Sequence, residues 1–343
     1  MEYRLAIIGF GNVGQGFAQI LRDHSHRLLQ QFGVKFRIVG VTDPLKGSIH
    51  DPAGFDPDDL LDAVRLAGNL GGIDAADRGW DGTEMARLSA ADVVVELSYT
   101  DLETGEPATG HIRAALEAGK HVVTTNKGPV ALHYAELSEM ARERGLEIGV
   151  EGTVMSGTPA VLNGMNLLRA AGIKRVQGIL NGTCNYILTR MEEGSTYEDA
   201  LQEAQDNGYA EADPTGDVEG FDAAGKVVIL ANLLMNVPIG MDDVDRSGIS
   251  GLTPADISAA QGAGERWKLI GTLEPAEDGV VASVRPERVP LTHPLASVGG
   301  ATNAVTYSTE LLGDVTLIGP GAGRLETGYS VLVDLLEIHR TSV

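Results

Sequence analysis

Apolar and polar positions in the first half of the chain alternate between two periods. Residues 4–8 form a compact apolar run closed by glycine, and an amphipathic stretch from about 13 to 32 repeats at helical spacing. A second apolar run, 36–42, ends at Asp43. Residues 92–97, 121–125 and 147–150 read as further strands, with helices over 107–118 and 129–144 between them. Residues 51–87 read as an acidic helical excursion with glycine-rich turns. Strands alternating with helices predict an α/β fold with a parallel, doubly wound sheet that binds ligands at the carboxyl ends of its strands.

The pattern changes after residue 150. A helix over 160–169, a strand over 173–180 and a helix over 185–191 lead to another helix that begins near Asp222. Strand-like segments at 280–284, 304–309 and 315–318 are separated by glycine-rich turns, which suggests a second, mixed sheet with helices on one face. A glycine-rich turn at 319–324 opens the last helix, expected to pack back on the first domain. With 343 residues, two domains are expected: 1–150, and an α+β domain over 151–320 for substrate binding and dimerisation, with about 321–343 returning to the first.

Between the first strand and first helix stands Gly9-Phe10-Gly11-Asn12-Val13-Gly14. In a Rossmann-type fold such glycines make the tight turn, let the backbone approach a pyrophosphate and allow close helix–strand packing. The phosphates then rest on free N–H groups at the helix N-terminus. Asp43 at the tip of the second strand suits the adenosine ribose hydroxyls and disfavours a 2′-phosphate, so NAD is favoured over NADP. Asp43 is equally suited to organise the turn before Pro44, and Lys46 nearby leaves NADP open. Ser98-Tyr99-Thr100 and Thr124-Thr125-Asn126-Lys127 place hydroxyls and an amide at two strand ends, where they can hold the nicotinamide ribose. Lys127 would project into that crevice, with a helix cap at Asn126 and a solvated lysine as the plainer alternative.

Charge narrows the function further. The net charge is −22, and lysines number seven (35, 46, 120, 127, 174, 226 and 268). Nucleic acid and anionic membranes both require basic patches, so neither is a partner. Such a surface also suits a high-salt, halophilic cytoplasm, where self-repulsion is screened. Cys184 is the single cysteine, which excludes an intrachain disulfide and a thiolate metal cluster. There is no basic leader with a cleavage site and no run of ~18 apolar residues, so a soluble cytoplasmic protein is expected.

Residues 204–226 concentrate Glu211, Asp213, Asp217, Glu219 and Asp222 in a broken loop, followed by Lys226 one helical turn after Asp222. At that spacing carboxylate and ammonium share a helix face. The arrangement suits a small polar substrate that gains or loses a proton, although an ordinary surface ion pair has the same spacing. Small residues over 151–159 imply close backbone packing, with carbonyls that could hold a monovalent cation.

The ordered motifs GFGNVG, TTNKGP (124–129), EGTVMSGTP (151–159), NGTCNYIL (181–188), HPLASVGGATNAV (293–305) and GPGAGRLETG (319–328) resemble the homoserine dehydrogenase family along nearly the whole chain. The spacing from Gly208 to Lys226 is similar to that family's own signature. The resemblance implies reversible NAD(P)-dependent interconversion of L-homoserine and L-aspartate 4-semialdehyde, toward threonine and methionine. It implies Lys226 as catalytic lysine, Lys127 beside the nicotinamide, and Glu211, Asp222, Thr183 and Tyr209 in the substrate pocket. Cofactor contacts would include Gly9, Gly11, Asn12, Val13, Gly14, Asp43, Ser98, Thr100, Lys127, Gly321 and Gly323. Backbone oxygens of Glu151, Val154, Ser156 and Thr158 would bind a sodium ion, and a homodimer is implied. The chain ends soon after the cofactor-closing helix, so a monofunctional short form without an appended regulatory domain is expected. Ser98-Tyr99-Thr100 departs from the glycine-rich strand end of the family. Two competitors are a semialdehyde dehydrogenase acylated on Cys184 and an NAD-binding regulator with an inactive site. Which of Lys226 and Lys127 moves the proton stays open.

Overall fold

The computed structural model describes residues 1–277 and 279–342. They form two compact units, Met1–Gly157 with the segment from Gly323 onward, and Thr158–Ala322.

The first unit runs β1 (Glu2–Ile8), α1 (Asn12–Phe32), β2 (Lys35–Asp43), β3 (Gly47–Phe55), α2 (Pro57–Ala67), β4 (Asp77–Arg78), α3 (Gly82–Leu88), β5 (Val93–Glu96), α4 (Ala108–Glu117), β6 (His121–Thr124), α5 (Lys127–Leu132), α6 (Tyr134–Arg144) and β7 (Ile148–Gly149). The C-terminal helix (Arg324–Ser342) completes it. Its sheet has the order β4-β3-β2-β1-β5-β6-β7. Strand β1 explains the double winding. Its alternate residues Leu5 and Ile7 join Phe17, Leu21, Leu335 and Ile338 from α1 and the C-terminal helix. Ala6 and Ile8 point the other way, to Met85, Ile112, Leu116 and Leu137 from α3, α4 and α6. A strand buried on both faces reads as a continuous apolar run, and each large side chain so buried contributes roughly 1.5–3 kcal/mol. Helix α1 stops at Gly33, whose φ of 69° turns the chain and lets its N–H reach the Leu29 carbonyl.

Two expectations need correction here. Residues 51–87 are not simply helical, because β3 and β4 add antiparallel strands to one edge of the sheet. The polar residues His50 and Asp51 and the Pro52 between them hide an edge strand that needs only one buried face. The helix expected over 129–144 breaks at His133, whose φ/ψ of −131°/10° ends α5 and precedes α6.

The second unit contains α7 (Ala160–Leu162), β8 (Ile173–Ile179), α8 (Gly182–Glu192), α9 (Tyr197–Asp206), α10 (Thr215–Val218), α11 (Phe221–Leu230), β9 (Val244–Arg246), α12 (Pro254–Gly262), β10 (Glu265–Ala276), β11 (Gly279–Pro290), β12 (Thr302–Thr309) and β13 (Gly313–Pro320). Wider π-type turns extend α7 over Asn163–Leu168 and α11 over Ala231–Met235. The sheet order is β13-β12-β8-β10-β11-β9, antiparallel except where β9 runs parallel to β11. The long β10–β11 hairpin replaces the short strand expected at 280–284. Strand β10 escaped notice because Lys268 interrupts its apolar run. That lysine is fully buried, and its ammonium donates to the Val298 carbonyl at 2.9 Å and Asn185 Oδ1 at 3.2 Å.

Candidate active site

The turn from β1 into α1 builds a cradle. Gly9 has a φ of 93°, and its N–H donates to the Thr42 carbonyl at 2.8 Å. A β-carbon on Gly9 would strike the Leu97 carbonyl, and one on Gly14 would lie 2.5 Å from the Gly9 carbonyl oxygen. Gly11 faces open space, with no atom within 4 Å of where its β-carbon would stand. Gly11 also caps α1 without a side-chain bond, so Asn12 and Val13 begin a helix with its first amides uncapped by side chain. A cavity of about 900 Å³ opens over this turn, lined by Gly9, Gly11, Asp43, Lys46, Trp80 and Ser98 among others. An uncapped helix start facing a cavity of this size fits a dinucleotide pyrophosphate.

Asp43 borders this cavity and also organises the turn. Its Oδ2 accepts from Phe10 N at 2.8 Å, and its Oδ1 accepts from Leu45 N at 2.9 Å and Lys46 N at 3.0 Å. The Lys46 ammonium lies 3.6 Å away. Burial works against the charged carboxylate, but the three amides and Lys46 together hold its pKa below the usual aspartate value.

Buried Glu96 organises the ends of β5 and β6. It accepts from the Ser98 hydroxyl and amide and lies 3.3 Å from His111 Nδ1. Asn126 Nδ2 donates to the carbonyls of Tyr99 (2.8 Å) and Ser98 (3.2 Å), while its oxygen caps α5 by accepting from Gly128 N. Lys127 is the first residue of that helix, and Thr100 is exposed beyond it. Glu96 and His111 were not singled out in the sequence. A glutamate closing an apolar run, 15 residues before a histidine on the next helix, is the only trace they leave there.

In the second unit the loop after β8 meets the start of α11. Lys226 is 7% exposed, and its ammonium donates to Asp222 Oδ2 and the Leu180 carbonyl, both at 2.7 Å. Asn181 Nδ2 sits between two carboxylates, 2.6 Å from Asp217 Oδ1 and 2.9 Å from Asp222 Oδ2. Its Oδ1 accepts from Cys184 N at 2.9 Å and so caps α8. Burial pushes the Asp217 carboxyl up, the Asn181 bond pulls it down, and the Asp222 charge pushes it up again, for a net rise. Asp217, read from sequence as a loop-shaping acid, therefore belongs to the cluster, as does Asn181, read only as a cap.

Thr183 and Tyr209 meet through the Thr183 hydroxyl, which donates to the Tyr209 carbonyl at 2.6 Å, and the Tyr209 ring packs 4.9 Å from that of Tyr186. Glu211 is exposed. Its backbone oxygen accepts from Gln205 Nε2, and among the described residues none bonds its carboxylate. Cys184 is buried and donates from sulfur to the Asp217 carbonyl at 3.2 Å. Burial, reinforced by Asp217, drives its thiol well above the ordinary range, so it is not the nucleophile that an acylating semialdehyde dehydrogenase would need.

The segment Glu151–Ser156 lies in the first unit. Met155 and Ser156 have positive φ values of 59° and 53°. Glu151 is 1% exposed, and its N–H donates to buried Asp334 at 3.0 Å. Burial and the Glu151 charge push the Asp334 carboxyl well above its ordinary value. Thr158 opens the second unit and donates to the Pro320 carbonyl at 3.0 Å. Gly321 lies in the same unit against Asn303, and Gly323 begins the return to the first.

The model of the homoserine dehydrogenase NAD-binding domain matches residues 9–151, and the model of homoserine dehydrogenase itself matches 159–336. The chain belongs to the homoserine dehydrogenase family. It is 45% identical to an NAD(+)-dependent homoserine dehydrogenase of Pseudomonas canavaninivorans over 99% of this chain and 97% of that one. Identity to a homoserine dehydrogenase of Methanocaldococcus jannaschii is 39%, over 98% and 99%. Among solved structures, a hyperthermophilic archaeal homoserine dehydrogenase mutant in complex with NADPH superposes with a TM-score of 0.85 at 30% identity, covering 99% of this chain and 98% of that one. Neither a Cys184-dependent semialdehyde dehydrogenase nor an inactive regulator is favoured beside these relatives. No helix of the described residues is long and apolar enough to cross a membrane.

Proposed function

We propose that this member of the family catalyses the reversible oxidation of L-homoserine to L-aspartate 4-semialdehyde, with Lys226 as the group that moves the proton. The observation that carries this reading is the Asn181–Asp217–Asp222–Lys226 cluster. Two of the three Lys226 N–H bonds are committed to Leu180 and Asp222, and the third is available to a substrate oxygen. Asp222 fixes the ammonium, and Asn181 fixes Asp222. Two carboxylates around one ammonium leave a net negative site, suited to the substrate's own ammonium group. The bound nicotinamide supplies or accepts the hydride at carbon. In the reductive direction Lys226 donates a proton to the aldehyde oxygen. In the oxidative direction its neutral amine takes the hydroxyl proton, a transfer typically worth 10²–10⁴-fold.

NAD rather than NADP fits Asp43, whose carboxylate borders the cavity and neutralises Lys46. The relative named as NAD(+)-dependent supports the same preference. Lys127 would lie beside the nicotinamide ribose. Oxygen donors of Glu151, Val154 and Ser156, set near the mutually repelling Glu151 and Asp334, suit a hard monovalent cation such as sodium. A homodimer, a cytoplasmic place in threonine and methionine synthesis, and a halophilic source also belong to this reading. The last is supported by the charge of −22 and predicts activity that rises with molar salt. NADH formation from L-homoserine and NAD at alkaline pH tests the reaction. Homoserine-dependent NADH is expected, and its absence refutes the assignment.

A further inference from the structure

Asn303 lies near the start of β12 and is 0% exposed, yet neither its Nδ2 nor its Oδ1 has a hydrogen-bond partner. A buried amide left in this state costs roughly 1–3 kcal/mol per orphaned group, so its presence calls for an explanation. Its position supplies one. Strand β12 pairs with β8 through Ala304 and Ile179. Asn303, one residue earlier, therefore lies at the sheet end beside Leu180, whose carbonyl holds Lys226. Its Oδ1 is 3.2 Å from where a Gly182 β-carbon would stand, and a Gly321 β-carbon would overlap the amide itself. The side chain is thus wedged between two glycines, one opening α8 and one following β13. A side chain at either position would seal the amide off.

We propose that Asn303 is a substrate-binding residue that donates from Nδ2 to the α-carboxylate of the amino-acid substrate. The idea rests on the proposed reaction. The cluster around Lys226 carries two carboxylates against one ammonium, so it repels the substrate's carboxylate and attracts the opposite end. That carboxylate needs neutral donors at some distance from Asp217 and Asp222. Asn303 offers one beside Gly182, the first residue of α8, where a helix terminus favours an anion. Gly321 covers the amide in the free protein, and the entering carboxylate replaces that contact with a charge-assisted hydrogen bond.

The test compares L-homoserine with 3-aminopropan-1-ol, the same amino alcohol without its carboxylate, used as a competitive inhibitor. Asn303→Ala is expected to raise the KM for homoserine by roughly 10- to 100-fold, the range for a lost hydrogen bond to a charged group. The inhibition constant of 3-aminopropan-1-ol and the Kd for NADH should stay within about twofold. Asn303→Asp keeps the shape, adds a negative charge, and should raise the homoserine KM further. Equal weakening of both ligands points to a purely structural role and overturns the proposal, as does an unchanged homoserine KM. If the unaltered protein turns over no homoserine, the proposed reaction fails instead. Calorimetric binding of L-homoserine to the protein and both variants then decides Asn303 separately.

Discussion

Replacing Asn181 by alanine removes three interactions from one side chain. Its Oδ1 no longer caps α8 at Cys184 N, a loss of about 1 kcal/mol. Its Nδ2 no longer bonds Asp217 and Asp222, and hydrogen bonds to charged groups are worth about 1.5–3 kcal/mol each. The Asp222 side chain is 19% exposed, and it keeps Lys226 as a partner, so the low end applies. The sum is roughly 3–4 kcal/mol, which for a domain of this size lowers Tm by roughly 10 °C. The loss should also depend on pH. Burial already raises the Asp217 carboxyl above its unfolded value of 3.8, and losing Asn181 raises it further. A carboxyl raised on folding destabilises most where it is ionised in both states. The penalty is therefore full above the folded pKa and fades as pH falls through it toward the unfolded value. Thermal unfolding of both proteins between neutral pH and about pH 4 should show a deficit that shrinks with acid. A deficit that is independent of pH, or a Tm change under about 2 °C, refutes the reasoning.

Other consequences are open to simple measurement. Asp43→Asn keeps an acceptor for the turn amides while releasing Lys46 from its charge partner. The ratio of kcat/KM for NADP over NAD should rise about tenfold, equivalent to about 1.4 kcal/mol, and an unchanged ratio removes Asp43 as selector. Gly16→Ala would drive a β-carbon into the Arg324 carbonyl of the C-terminal helix. About 1–3 kcal/mol should be lost, and unfolding at the parental denaturant midpoint would show that the helix is not pinned there. Cys184→Ala should retain most activity, and the buried thiol should resist alkylation at pH values where free thiols react. Loss of turnover on that change would bring a cysteine mechanism back.

How far the sequence disclosed this arrangement depended on what kind of signal each residue left. The cradle at Gly9–Gly14 was legible because glycine spacing reports backbone geometry directly, and the positive φ of Gly9 and the close approach of Gly14 are that geometry. Asp222 and Lys226 were legible because helical periodicity puts them on one face. Asn181, Asp217 and Leu180 were not, because their meeting depends on the end of β8 arriving beside α11. No local pattern encodes that. Strand β10 was hidden by buried Lys268, whose partners come from distant loops. The dual position of Asp43 followed the same rule. An acid after the second strand suggests ribose binding, while the contact with Phe10 N that ties it into the turn is made across 33 residues.

The central claim is that Lys226 carries the proton, and the kcat of Lys226→Met for homoserine oxidation tests it most directly. A fall of at least about 10²- to 10⁴-fold is expected, with the Kd for NADH unchanged because the cofactor cradle belongs to the other unit. Turnover within about tenfold of the parent protein would contradict it, and the proton would then have to pass through another group.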